Sequence, residues 1–68
     1  MSEIAKRIKE IRIENKMSQA QFGQALFVSQ DTVSLWENGK SLPSTEYVIL
    51  IAKKFNVSAD YILCLKEE

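Results

Sequence analysis

Between Ser18 and Gly39 the chain reads SQAQFGQALFVSQDTVSLWENG, which carries start and stop signals for two short helices in close succession. Ser18 with Gln21 three places on forms a capping box, in which each side chain satisfies a backbone N–H group at the helix start. Met17 and Phe22 have the spacing of a hydrophobic staple across the same start. Phe22, Ala25 and Leu26 then face inward at helical spacing. Phe27-Val28-Ser29 break the register, and Ser29 caps a second helix running to about Asn38. Gly39 supplies a left-handed stop. The expectation is two short helices joined by a tight turn.

The rest of the chain is helical in pattern as well. No segment alternates with period two, and Pro43 is the only proline. Ile4, Ile8 and Ile11 mark the apolar stripe of a first helix, with Ser2 as its cap. Pro43 and Ser44 open a fourth helix that runs through about Phe55 and ends at Asn56. Ser58 caps a fifth, with Asp60 in the first turn where the helix dipole favours an acid. The tail Lys66-Glu67-Glu68 is expected to fray. With no repeats, low-complexity tracts or linkers, residues 1–68 read as one all-α domain of five helices. The close helix pair occupies about 18–38.

Composition narrows the function. A chain of this size buries only about 60% of its unfolded surface, so one modest core is the limit. Apolar content of 46% with 26% charged residues is that of an ordinary globular chain. Histidine is absent and Cys64 is the single cysteine, which excludes an intramolecular disulfide, a cysteine zinc framework, a Ser-His-Asp triad and imidazole acid–base chemistry. No catalytic residue, metal site or cofactor is expected, and no small-molecule ligand is evident. No apolar run approaches the roughly 18 residues of a membrane span, so an intracellular soluble protein is expected. Nine basic residues balance nine acidic ones. That neutrality counts against a nucleic-acid partner, although Lys6, Arg7, Lys9, Arg12 and Lys16 concentrate basic charge near the start.

The third helix has two distinct faces when its residues are placed at roughly 100° intervals. Val33 and Trp36 fall on one side, with Ser29 at the cap. Gln30, Asp31, Ser34, Leu35 and Asn38 gather on the other. That second face is short, mostly uncharged and able to hydrogen-bond, which suits the major groove of DNA. There, glutamine pairs bidentately with adenine, an acid accepts from the cytosine amino group, and an apolar side chain meets a thymine methyl. Gln30, Asp31 and Leu35 supply one of each. The plain alternative is an ordinary solvated face.

These residues together resemble the helix-turn-helix domains of the phage repressor and Cro family, the Xre-like bacterial regulators. The resemblance is carried by Ser18-Gln19, Leu26, Val28-Ser29, Val33-Ser34, Trp36-Glu37, Gly39, Pro43, Ile51-Ala52, Val57-Ser58 and Asp60, and covers about residues 4–65. It implies a compact, lambda-repressor-like fold of five helices, with helices two and three forming the helix-turn-helix. The third, at about 30–38, would enter the major groove of double-stranded DNA from a dimer on a pseudo-palindromic site. By the same resemblance, Gln30, Asp31, Ser34 and Leu35 are candidate base contacts. Gln19, Thr32, Asn38 and Lys40 are candidate backbone contacts, Gln19 also bracing Gln30. Arg12 and Glu37 would form an ion pair tying helix one to the end of helix three. The setting implied is the cytoplasm of a bacterial cell.

Two positions depart from the family pattern. Gly23 stands where alanine is usual, at the crossing of the two helices, at a propensity cost of about 1 kcal/mol. Phe27 stands where glycine is usual, at a turn position that often needs a positive φ. Either the turn differs, or Phe27 carries strain offset by packing of its ring. Tyr47-Val48-Ile49-Leu50-Ile51 is apolar around a full helical turn, so one face cannot hide it. Val48, Ile51 and Phe55 have core spacing, which leaves Tyr47 and Leu50 nearer the surface, with Ile62 and Leu65 as further apolar candidates. Tyr47, Leu50, Ile62 and Leu65 are either scattered surface hydrophobes or a dimer or partner surface. The basic face of helix one is either solvated or a source of distant phosphate contacts. Cys64 is a small, partly buried side chain or a site of intermolecular pairing. A sequence-specific DNA-binding transcriptional regulator is therefore the first expectation. A protein-interaction module of the same fold, antitoxin-like or an accessory regulator subunit, is the alternative.

Overall fold

Serine hydroxyls set the helix starts. In the computed structural model, which describes residues 3–65, the elements are α1 (Glu3–Glu14), α2 (Gln19–Leu26), α3 (Gln30–Glu37), α4 (Thr45–Phe55) and α5 (Ala59–Ile62). Ser18, Ser29, Ser44 and Ser58 cap α2 to α5, each accepting from the backbone N–H three residues on, at 3.0 to 3.4 Å. Such a cap contributes about 1 kcal/mol. At Ser18 the capping box is complete, with the Ser18 N–H donating to Gln21 Oε1 at 2.9 Å. The proposed Ser2 cap and the tail 66–68 lie outside the described residues.

Left-handed residues set the helix ends. Lys16, Phe27, Gly39, Asn56 and Cys64 follow α1 to α5 in turn, with φ between 56° and 73°. After α3, the Gly39 N–H donates to the Trp36 carbonyl and the Lys40 N–H to the Leu35 carbonyl, which satisfies carbonyls the helix would otherwise leave open. After α2 the same closure runs through Phe27 and Val28, to Gln24 and Gly23. Only one of these five positions is glycine. The other four accept a conformation that disfavours an L side chain by roughly 1–2 kcal/mol, against which the closing hydrogen bonds act.

The core is a continuous cluster of Ile8, Ile11, Phe22, Leu26, Val33, Trp36, Val48, Ile51 and Ile62. Ile4, at the edge of the α1 stripe, is half-buried, and Ala5 is buried in its place. Phe22 stacks on Phe55 with ring centroids 5.0 Å apart, joining α2 to α4. Trp36 meets Tyr47 at 5.6 Å in a tilted arrangement, joining α3 to α4. At the other end, Arg7 donates to the Tyr61 carbonyl at 2.7 Å and lies over the Tyr61 ring, fixing α5 against α1. Ala25 is half-buried, less enclosed than its spacing suggests.

Candidate nucleic-acid interface

Gly23 sets the spacing of α2 and α3. It is buried, and a Cβ built on it would lie 2.7 Å from the Val28 carbonyl oxygen and 3.2 Å from that of Ser29. Both atoms are backbone, so an alanine would push the two helices apart. The glycine is thus a steric requirement, where propensity alone marks it only as a weakness. Phe27 adopts the positive φ that the turn demands, at 62°. The residue is 81% exposed, so packing on the core does not offset the strain, and the Lys54 ammonium lies 5.8 Å from the ring centre.

A charged network holds the far end of α3 to the body. Arg12 Nε donates to Glu37 Oε2 at 2.7 Å and Nη2 to Oε1 at 3.1 Å, a two-point pair of the kind a planar guanidinium favours. Arg12 Nη1 also donates to the Met17 carbonyl at 3.0 Å, which draws in the turn after α1. Only 4% of the Glu37 side chain is exposed, against 14% for Arg12. The Glu37 hydrogen bond, opposed by burial and aided by the carboxylate charge, holds the guanidinium above its ordinary pKa. The third donor to this carboxylate is Gln19 Nε2, 3.1 Å from Oε1. Gln19 makes no side-chain hydrogen bond to Gln30 in the free protein, and its amide holds Glu37. Nothing in the spacing of residues 18 positions apart could have signalled that bond.

The opposite face of α3 is differently equipped. Gln30, Asp31 and Asn38 are exposed, Leu35 is 43% exposed, and Ser34 is half-buried. Asn38 Nδ2 donates to Ser34 Oγ at 3.1 Å, and the Ser29 and Thr32 hydroxyls pair at 3.1 Å. Ser34, Asn38 and Thr32 are thus engaged locally. Gln30 and Asp31 make no side-chain hydrogen bond to other described residues, and their polar groups face solvent beside Leu35. Lys40 follows directly, exposed, its backbone held by the closure of α3. Among the described residues no cluster of His, Cys, Asp or Glu could hold a metal ion, and no helix is long and apolar enough to cross a membrane.

The apolar candidates divide. Ile62 is fully buried in the core, so it cannot belong to a partner surface. Tyr47 and Leu50 are half-buried, nearer the surface than the buried Val48 and Ile51, and pack against the edge of the core, Tyr47 on the Trp36 ring. Ile49, 46% exposed, is the member of the run that faces outward, and Leu65 is 72% exposed. Cys64 is half-buried and closes α5 with φ 65°.

The arrangement is that of a helix-turn-helix domain, with α2 and α3 as its pair. The helix-turn-helix family model matches residues 8–62, and the chain belongs to this family. The antitoxin PezA of Streptococcus pneumoniae is 40% identical over 55 residues, covering 81% of this chain and 35% of PezA. The HTH-type transcriptional activator BcrR of Enterococcus faecalis is 32% identical over 65 residues, covering 96% of this chain and 32% of BcrR. The chain thus spans about a third of the length of these two relatives. An HTH-type transcriptional regulator of Archaeoglobus fulgidus is 34% identical, with 91% of this chain and 87% of the relative covered. Among solved structures, the P22 c2 repressor in complex with a synthetic operator aligns with a TM-score of 0.83 and 30% identity, covering 93% of this chain and 96% of that one.

Proposed function

We propose that this chain is a sequence-specific, double-stranded-DNA-binding transcriptional regulator that acts by occupancy, without chemistry, in the cytoplasm. The observation that carries the reading is the face of α3, where Gln30, Asp31 and Leu35 stand exposed and unengaged on a helix clamped to the body by Arg12 and Glu37. A rigid helix with free, mixed polar groups matches what base edges in the major groove present. The likeness to a repressor solved with its operator supports the same orientation. In this reading Gln30, Asp31 and Leu35 contact bases, with Ser34 closer to the helix body. Gln19, Thr32, Asn38 and Lys40 serve the phosphates. Gln19 has a second amide hydrogen to give while it holds Glu37. A two-fold dimer would place two copies of α3 about 34 Å apart, one helical turn of DNA.

A second reading, a protein-interaction module, draws support from the likeness to an antitoxin and from the exposed Ile49 and Leu65. Selection from a randomised duplex pool at two salt concentrations separates the two. An enriched inverted repeat, with affinity falling steeply as salt rises, is the expected result. No enrichment and weak binding at low salt would overturn the DNA reading in favour of a protein partner.

A further inference from the structure

We infer that Asp31 and Leu35 form a paired reader of an exocyclic amino group beside a pyrimidine C5 methyl, an inference that rests on the DNA reading above. The two residues are four apart on α3, so their Cβ atoms lie about 5–6 Å from each other on one face. Successive bases on a strand rise by about 3.4 Å, so the two side chains reach either the same base or adjoining ones. Two neighbouring polar side chains already make local bonds. Ser34 accepts from Asn38, and Thr32 is engaged with Ser29.

Each member of the pair carries a penalty that such a base would offset. Asp31 is a carboxylate with no cation bonded to it among the described residues, set on the face that would approach a polyanion. The helix dipole favours an acid at this first-turn position in the free protein, and against DNA the cytosine amino group is the donor that the major groove offers to it. Leu35 is an aliphatic side chain 43% exposed among polar neighbours, and the C5 methyl is the apolar group of the same groove. Two sources present both groups together: one 5-methylcytosine, or a cytosine with a thymine adjoining it.

The test uses duplexes from the selected pool. Each thymine is replaced in turn by uracil, which removes only the methyl, and each cytosine by 5-methylcytosine, which adds only the methyl. Affinities are measured for the wild-type chain, Leu35→Ala and Asp31→Ala. At one position in each half-site the methyl should change wild-type affinity about fourfold, from about 0.8 kcal/mol per buried carbon at 1.4 kcal/mol per tenfold. Leu35→Ala should abolish that dependence. At the same or the adjoining base pair, changing cytosine–guanine to uracil–adenine should weaken wild-type binding about fivefold, the lower end for a specific contact. Asp31→Ala, which removes the acceptor, should abolish that preference. A gain from methylating the cytosine itself assigns the pair to one modified base, and a loss at a neighbouring thymine assigns it to a two-base step. Unfolding of a variant cannot imitate these results, because it weakens every duplex alike. Methyl dependence that persists in Leu35→Ala, a cytosine preference that persists in Asp31→Ala, or an enriched site with no methyl-sensitive position would overturn the pairing and leave the DNA reading standing. Failure to enrich any sequence would overturn both.

Discussion

Asp31 and Glu37 are two acids on one eight-residue helix, and they live in opposite conditions. Glu37 is buried and accepts three hydrogen bonds, two from Arg12 and one from Gln19. Asp31 is exposed and makes no side-chain hydrogen bond to a described residue. A buried carboxylate has no alternative to its partners, because water is excluded and the desolvation penalty is large. An exposed one keeps its hydration and is free to exchange it for another donor. The same functional group therefore serves as a structural fastener at the end of α3 and as an open valence at its start. Strength of clamping at one end is what gives the free groups at the other a fixed position.

The largest test of this contrast is Glu37→Ala. It strands the Arg12 guanidinium and should lower stability by about 3–5 kcal/mol in urea unfolding. Replacing both partners by apolar residues, Arg12→Met with Glu37→Leu, should lose far less than the sum of the two single losses. A loss below about 1 kcal/mol for Glu37→Ala would place the pair among ordinary surface bridges and remove the contrast.

Gly23→Ala should follow, at about 1–3 kcal/mol, because the added methyl meets backbone oxygen at 2.7 Å. Its counterpart in the same turn has the opposite sign. Phe27→Gly relieves roughly 1–2 kcal/mol of left-handed strain and gives up about 0.5 kcal/mol of exposed cation–π contact with Lys54. Thermal melting should therefore show a net gain of about 0.5–1.5 kcal/mol, and a loss would mean that the exposed ring packs on something in the folded protein.

On the open face, Gln30→Ala should leave stability within about 0.5 kcal/mol of wild type. It should weaken binding to a selected duplex by about 1–3 kcal/mol and relax one base position. Equal losses on selected and random duplexes would show that Gln30 positions the protein and does not read a base. The smallest effect expected is from Lys40→Ala. The slope of log affinity against log salt should become shallower by about one unit, alike on all sequences. An unchanged slope would remove Lys40 from the phosphate contacts.

Local chemistry made much of the fold legible. The four serine caps and the stops at Gly39 and Asn56 depend on a few consecutive residues, and they lie where capping rules put them. The spacing of Ile8 and Ile11, and of Val33 and Trp36, likewise points each pair to the core without help from distant residues. The apolar run of α4 was less legible for a geometric reason. Ile49 and Leu50 sit at similar angles on either side of its core direction, roughly 130° by the 100° step. Periodicity cannot say which of them a neighbouring element covers. The fold packs Leu50 against the core and leaves Ile49 outside. Ile62 shows the same limit, since α5 has only four residues and too little length to display a stripe.

Sequence by itself determined where α2 to α5 begin, where α3 and α4 end, and which side of α3 faces the body. Those outcomes follow from hydrogen bonds and sterics spanning a handful of residues. Tertiary structure alone decided that Gly23 is a steric necessity, that Gln19 reaches Glu37, and that Ile62 belongs to the core. Each of these depends on the distance between segments far apart in the chain, which periodicity and capping do not encode.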